Sequence, residues 1–178
     1  RRAADDGFLA LAPDGLYPIA GYPGNDDDGR AMQKILDQTK LRQDMANSAR
    51  YLKSHELSNR KLGVTGFCWG GATSNFLAAT LGDELNAAVP YYGRAPETSA
   101  VPNISAAVMA HYAEEDPKVN ATRPDYETAL KANGVRHQIY SYAGTRHGFH
   151  NNSTPRFNEK AADLAWQRTI AFFKEHLV

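Results

Sequence analysis

The chain contains one cysteine, Cys68, and its neighbours favour a reactive thiol. The surrounding stretch reads Gly66-Phe67-Cys68-Trp69-Gly70-Gly71 and lies between an apolar run and a helical pattern. Small residues two positions before and after a nucleophile allow the strained strand–turn–helix bend that lifts it above a sheet. At a helix N-terminus the sulfur is favoured as a thiolate, and the backbone N–H of Trp69 is a candidate oxyanion-hole donor. The alternative, a buried structural cysteine, is disfavoured by the two glycines at the required offsets.

A thiol nucleophile needs a base, and His147 is the first candidate among the six histidines. It lies in a glycine-flanked loop, Gly144 to Phe149, directly after an apolar run. His150 is the main rival, three residues further on. The two could also be metal ligands, but no carboxylate or third histidine lies at helical spacing from them. His111, inside another apolar run, is interpreted as a hydrogen-bonded core histidine.

The base needs an orienting acid, and Asp116 is the candidate. It follows an apolar run and precedes Pro117, so the backbone is predicted to turn sharply there. Its neighbours Glu114 and Glu115 could simply belong to a solvated turn, and the same interpretation is open for any one carboxylate in this segment.

The elements that must position these residues alternate between strands and helices. Apolar runs predict five strands, mostly continuous as in a sheet covered on both faces: Phe8–Ala12, Leu62–Phe67, Ala87–Tyr92, Ala106–Tyr112 and His137–Tyr142. Helical spacing links Leu41, Met45, Ala49 and Leu52, and again Ala162, Trp166, Ile170, Phe173 and Leu177. A further helix is predicted between Thr122 and Gly134. The alternation predicts an α/β fold with a mostly parallel sheet, in which sites form at the carboxyl ends of the strands.

Length and composition exclude several classes. The chain has 178 residues, with 20 Lys and Arg against 20 Asp and Glu, which predicts one domain of zero net charge. That balance predicts no nucleic acid partner and no anionic membrane partner, and no apolar run is long enough to span a bilayer. One cysteine excludes an internal disulfide. These features predict a soluble, cytoplasmic protein, although a lost leader could change the compartment.

The first residues resemble the last turn of a helix that ends at Gly7 and leads into the strand Phe8–Ala12. No initiator methionine precedes them, so the natural N-terminus is expected upstream. We therefore expect residues 1–178 to be a single domain that is incomplete at its N-terminus.

Several motifs across the whole chain resemble the dienelactone hydrolase family of the α/β-hydrolases. The resemblance rests on segments spread along the sequence: Ala12-Pro13-Asp14-Gly15-Leu16-Tyr17, Gly66 to Gly71, Val89-Pro90-Tyr91-Tyr92-Gly93-Arg94, His147-Gly148-Phe149 and Ala165-Trp166-Gln167-Arg168-Thr169. The order Cys68, Asp116, His147 is also the nucleophile–acid–base order of α/β-hydrolases.

The resemblance implies an α/β-hydrolase fold and hydrolysis of a carboxylic ester or lactone through a thioester, without metal or organic cofactor. It makes Cys68 the nucleophile, His147 the base and Asp116 its partner. Candidate substrate-binding residues are Tyr92, Arg94 and Phe149, although the aromatic ones could be ordinary packing. Activity is expected to rise with pH because the histidine must accept a proton.

Two departures from the family pattern matter. Arginines that hold the substrate carboxylate in dienelactone hydrolases are replaced, since the first region reads Pro18-Ile19-Ala20-Gly21-Tyr22 and the later position is Asn151. An unassigned small ester is therefore the expected substrate. The family also has earlier strands and a loop with a second oxyanion donor before the point where this chain begins. A truncated, non-catalytic remnant or binding module is the alternative function, and a thiol redox protein a third, although no resolving cysteine is present.

Overall fold

A computed structural model describes residues 2–178, which divide into two units at Ser58. The second unit, Asn59–Val178, contains one sheet of four parallel strands in the order β1-β2-β3-β4. The strands are β1 (Gly63–Phe67), β2 (Ala87–Tyr91), β3 (Ala107–Glu115) and β4 (His137–Arg146). Four of the five predicted strands are thereby confirmed, as is the α/β architecture with a parallel sheet.

The register of the sheet aligns the carboxyl ends of its strands. Phe67 on β1 lies opposite Tyr91 on β2, and Tyr91 lies opposite His111 on β3. All of β2 and the first seven residues of β3 are buried, as their continuous apolar sequences predict. β3 and β4 extend beyond their predicted ends because Glu115 pairs with Arg146 past an irregularity in the ladder. As a result, three strands stop immediately before Cys68, Asp116 and His147.

Helices connect and cover these strands. They are α4 (Trp69–Leu81), α5 (Pro117–Asn120), α6 (Arg123–Ala132) and α7 (Glu159–Leu177). α4 packs against β1 and β2, and α7 packs against β2 and β3. The predicted apolar face of α7 is confirmed in large part, because Ala162, Ile170, Phe173 and Leu177 are buried. The predicted helix stop at Gly134 is also confirmed, with a φ of +65° that an L side chain rarely adopts.

The first unit is helical. Its helices are α1 (Arg2–Asp5), α2 (Asp26–Ile35) and α3 (Gln38–Ser54). α1 ends at Asp5, and the predicted glycine stop follows two residues later at Gly7, whose φ is +94°. The amides of Gly7 and Phe8 close the helix end by donating to the carbonyls of Ala4 and Ala3. Asp37 caps α3 by accepting the amide hydrogens of Thr39 and Lys40, and Leu41 and Ala49 are buried on its predicted face.

The strand predicted at Phe8–Ala12 is wrong. These residues form no ladder with any strand in the described part of the chain. Leu9 and Leu11 are each 43% exposed, so the run is not a buried strand. Apolar composition alone suggested the strand, whereas a strand also needs a neighbour that accepts and donates its backbone hydrogen bonds.

The helices of residues 2–178 include none that combines the length and apolar character needed to cross a membrane.

Candidate active site

Cys68 lies on a sharp bend between β1 and α4. Its φ of +57° and ψ of −113° are unusual for a residue with a side chain and cost of the order of 1–3 kcal/mol. Its amide donates to the carbonyl of Tyr91 at 3.1 Å, and its carbonyl accepts the amide hydrogen of Ala72 at 3.0 Å. The thiol is exposed. The alternative of a buried structural cysteine is therefore wrong.

Close backbone packing explains the glycines around this bend. A Cβ added at Gly66 would overlap the backbone of Gly70, and one at Gly71 would overlap the carbonyl oxygen of Tyr91. A Cβ added at Gly93 would in turn overlap the backbone of Gly71. The expectation that Gly70 itself must lack a side chain is wrong, because a Cβ there would meet nothing within 4 Å. The steric requirement falls on the residues two before and three after the cysteine.

The structure brings Cys68, His147 and Asp116 together at the carboxyl edge of the sheet. Nδ1 of His147 lies 2.5 Å from Oδ2 of Asp116, whose other oxygen accepts the amide hydrogen of Val119 at 3.4 Å. Asp116 is only 6% exposed, so its orientation is fixed by these two donors. The side chain of His147 is also hydrogen-bonded to that of Cys68. Because Nδ1 faces Asp116, Nε2 is the ring atom left for the sulfur.

The electrostatics of this trio favour an ion pair. The hydrogen bond to His147 lowers the pKa of Cys68 below its ordinary value of 9.0, and the backbone N–H of Trp69 lowers it further. The same hydrogen bond to Cys68, together with Asp116, raises the pKa of His147 to about 9. Between the lowered pKa of Cys68 and the raised pKa of His147, the favoured arrangement is a thiolate beside an imidazolium. These shifts differ from the sequence-based expectation of a neutral histidine that must accept a proton, because the raised pKa of His147 favours its protonated form.

The rival residues have other contacts. The ring of His150 stacks on Phe67 at 4.9 Å between centroids, whereas Asp116 contacts His147. Glu114 accepts the amide hydrogen of Gly144 at 2.7 Å. No sequence pattern predicts this last contact, which joins the end of β3 to the segment that precedes His147.

The candidate substrate-binding residues differ in their access to the site. Tyr92 is 3% exposed, and its ring centroid lies 5.0 Å from that of His147. Burial raises the pKa of its phenol, and the neighbouring Cys68 raises it further. Phe149 is fully buried against Tyr92 and Tyr142, so it supports the site by packing and offers a substrate no surface in this structure.

Two further residues on this edge of the sheet are exposed. Trp69 is 45% exposed at the start of α4. Arg94 is exposed on the loop after β2, where its carbonyl accepts a hydrogen bond from Asn75. Among residues 2–178, no group of three or more His, Cys, Asp or Glu side chains is arranged to hold a metal ion.

The chain is similar to known proteins in sequence and in fold. The sequence model of the dienelactone hydrolase family matches residues 1–177. A protein of Aquifex pyrophilus, Protein usf, is 34% identical over 191 aligned positions, which cover 99% of this chain and 78% of that protein. A protein of Aquifex aeolicus assigned as a carboxymethylenebutenolidase is 30% identical over 184 positions, with the same coverage. A crystal structure assigned as a dienelactone hydrolase of Klebsiella pneumoniae has a TM-score of 0.83 and 25% identity, covering 99% of this chain and 79% of that one.

Proposed function

The chain belongs to the dienelactone hydrolase family, and from this premise we propose that it hydrolyses small carboxylic esters or lactones through a thioester on Cys68. Family membership and the carboxymethylenebutenolidase-like relatives make it a carboxylic ester hydrolase. The observation that carries the cysteine mechanism is the hydrogen bond between the side chains of Cys68 and His147, with His147 held by Asp116. A nucleophile, a base and an orienting group in contact are the minimum for covalent acyl transfer.

In the first half of the reaction the thiolate of Cys68 attacks the carbonyl carbon of the ester. The C–S bond forms as the carbonyl electron pair moves onto oxygen, and the N–H of Trp69 donates to that oxyanion. The pair then returns and the C–O bond to the leaving group breaks. His147 donates its Nε2 proton to the departing oxygen, which leaves a thioester and a neutral imidazole.

In the second half His147 acts as a base. Nε2 takes a proton from water as the water oxygen attacks the thioester carbonyl, and the oxyanion again faces Trp69. Collapse of this intermediate breaks the C–S bond and releases the carboxylic acid. The thiolate–imidazolium pair is thereby restored. Asp116 stabilises the imidazolium and keeps Nδ1 protonated, so that Nε2 is always the atom that moves the proton.

Arg94 is the residue proposed to meet the substrate, and Tyr92 the residue proposed to border the acyl site. The ring of Tyr92 lies beside His147 and is 3% exposed, so it can shape the site from behind His147 rather than offer the substrate a broad surface. Arg94 is exposed on the neighbouring loop and can donate to a polar or anionic substituent.

The test is hydrolysis of 4-nitrophenyl acetate by the protein and by Cys68→Ala. We expect turnover by the wild type and its loss in the variant, because alanine cannot form the thioester. Mass spectrometry of the acid-quenched reaction should show one acetyl group on the wild type. Glu115→Gln is the matched control, since Glu115 is exposed beside Asp116. Unchanged turnover in Cys68→Ala would refute the mechanism.

A further inference from the structure

A buried chain of hydrogen bonds passes through the sheet next to the site and is centred on His111. Nε2 of His111 lies 3.1 Å from Oγ1 of Thr169 on α7, and Nδ1 lies 2.9 Å from the hydroxyl of Tyr142 on β4. The hydroxyl of Tyr91 on β2 lies 2.5 Å from the same Thr169 oxygen. His111, Thr169 and Tyr91 are fully buried, and Tyr142 is 5% exposed. Burial of a polar side chain costs free energy unless the side chain is hydrogen-bonded. The presence of four such side chains together in the core therefore needs a physical reason.

The direction of the hydrogen bonds follows from Thr169. Its hydroxyl has one proton, which it donates to the carbonyl of Ala165 at 2.9 Å. Its oxygen must therefore accept from Tyr91 and from His111, which places the proton of the imidazole on Nε2. Burial lowers the pKa of His111 to about 3, so the ring is neutral and Nδ1 has a free lone pair.

The other end of the chain is defined in the same way. Nδ1 of His111 accepts from the hydroxyl of Tyr142, and the oxygen of Tyr142 accepts from Nη1 of Arg168 at 3.2 Å. The guanidinium of Arg168 lies over the ring of Tyr140, 3.9 Å from its centroid. Each hydrogen bond thus has one possible donor, and the protons in this chain of hydrogen bonds have a single arrangement.

One arm of this chain supports the nucleophile. The carbonyl of Tyr91 accepts the amide hydrogen of Cys68, and the ring of Tyr91 packs on Phe67 with 4.6 Å between centroids. The hydrogen bond from the Tyr91 hydroxyl to Thr169 therefore holds Tyr91 in place. Tyr91 in turn supports the strained bend, because its carbonyl accepts the amide hydrogen of Cys68.

The other arm supports the base. The carbonyl of Tyr142 accepts a hydrogen bond from the hydroxyl of Thr145 at 2.7 Å, and its ring lies 5.1 Å from that of Phe149. These two contacts hold the residues two before and two after His147. Thr145 is 1% exposed and Phe149 is fully buried, so His147 lies between two residues whose positions are fixed by packing in the core.

We infer that His111 is a positioning residue. It links Tyr91, which supports Cys68, to Tyr142, which supports the loop of His147. In this way it keeps Cys68 and His147 within hydrogen-bonding distance of each other. The inference rests on the proposed function for its catalytic consequence. Its geometric consequence, the Cys68–His147 ion pair, can be measured without any substrate.

The experiment compares Thr169→Val, which keeps the shape of the side chain but removes its hydroxyl, with Thr169→Ser, which keeps the hydroxyl. The rate of Cys68 alkylation by iodoacetamide is measured against pH, and the single cysteine of the chain makes the signal unambiguous. We expect Thr169→Val to raise the pKa of the Cys68 thiol and to lower kcat roughly tenfold with little change in KM. The reason is that a shift of about 1 Å in the position of a catalytic group can lower the rate by about 100-fold. Thr169→Ser should titrate like the wild type.

Two further variants separate positioning from loss of core stability. Tyr142→Phe removes one hydroxyl on the other side of His111 and should shift the same titration in the same direction. Val108→Ala, buried near the start of the same strand, lowers stability without touching the chain of hydrogen bonds. If Thr169→Val does not fold, Tyr142→Phe tests the inference alone.

The inference is overturned if the folded hydroxyl-deletion variants titrate like Val108→Ala. If the wild type lacks esterase activity but Thr169→Val still raises the thiolate pKa, the proposed function fails and the positioning role stands.

Discussion

The carboxylate of Asp116 and the imidazole of His147 are joined by a 2.5 Å hydrogen bond between residues that each directly follow a strand. Asp116 is almost completely buried, whereas the side chain of His147 is about one-third exposed. A fixed, buried carboxylate thus holds an imidazole that can still reach its reaction partners. This contact orients Nε2 toward Cys68, and the charge of Asp116 can be removed by substitution with asparagine.

Asp116→Asn should lower kcat by about 10²–10⁴, because an amide can hold the imidazole in the wrong tautomer and does not stabilise the imidazolium. The pKa of Cys68 should rise at the same time, since a less basic His147 is a weaker partner for the thiolate, and this outweighs the lost Asp116 charge, which raises that pKa and is the smallest of its causes. Steady-state kinetics and the pH dependence of cysteine alkylation measure the two effects.

Glu115→Gln is the control for this substitution, because it removes a neighbouring exposed carboxylate. It should leave both quantities close to those of the wild type. Equal losses in the two variants would mean that Asp116 acts only through the general negative charge of this segment.

The pH profile of kcat/KM should have two limbs. Below the lowered pKa of Cys68 the thiol is protonated, so activity rises as pH increases through that value. Above the raised pKa of His147, about 9, the imidazole has lost the proton that the leaving group needs, so activity falls. The profile should therefore be bell-shaped, with its alkaline limb near pH 9.

Alkylation by iodoacetamide separates the two limbs, because that reaction needs the thiolate but no proton donor. Its rate should rise through the acidic limb and should not fall in parallel with ester turnover near pH 9. A turnover profile that rises through a single pKa between 6 and 7, with no alkaline limb, would contradict the ion pair.

The residues of the candidate site could be predicted from local sequence, and the structure brings them together. A cysteine between glycines, an aspartate before a proline and a histidine beside a glycine each lie directly after an apolar run. Parallel strands end at one edge of a sheet, so strand ends that are distant in sequence become neighbours. Local sequence was enough to name Cys68, Asp116 and His147 as candidates, but it left His150 open as a rival base, and only the long-range contact between Asp116 and His147 separates the two histidines.

Features that depend on register or on a partner could not be predicted in this way. The run Phe8–Ala12 has the composition of a strand but no ladder neighbour in the described residues. The contact between Glu114 and Gly144 depends on how β3 and β4 align past an irregularity. The burial of Phe149 likewise follows from Tyr92 and Tyr142, which come from two different strands.

Tyr126→Phe should lower the free energy of unfolding by about 1–3 kcal/mol. The Tyr126 hydroxyl is fully buried and donates to Oδ1 of Asn75 at 3.1 Å, so its removal leaves that oxygen without this donor. Asn75 in turn donates to the carbonyl of Arg94 on the loop beside the site. Urea unfolding measures the change through its midpoint.

The matched control is Tyr140→Phe, which removes a hydroxyl that donates to Gln138 at the surface. That hydroxyl can be replaced by water, so the change should be within about 0.5 kcal/mol. A loss in Tyr140→Phe as large as that in Tyr126→Phe would contradict the assigned role of the buried hydrogen bond.

Gly66→Ala and Gly70→Ala should have opposite effects, although both glycines flank Cys68 at the same distance in sequence. A methyl group at Gly66 would overlap the backbone of Gly70, so we expect a loss of about 1–3 kcal/mol or more and a lower kcat. A methyl group at Gly70 meets open space inside α4, where alanine is favoured over glycine by about 1 kcal/mol. Thermal unfolding and ester turnover of both variants measure the difference. A greater loss in Gly70→Ala than in Gly66→Ala would contradict the close approach of the two backbones at this bend.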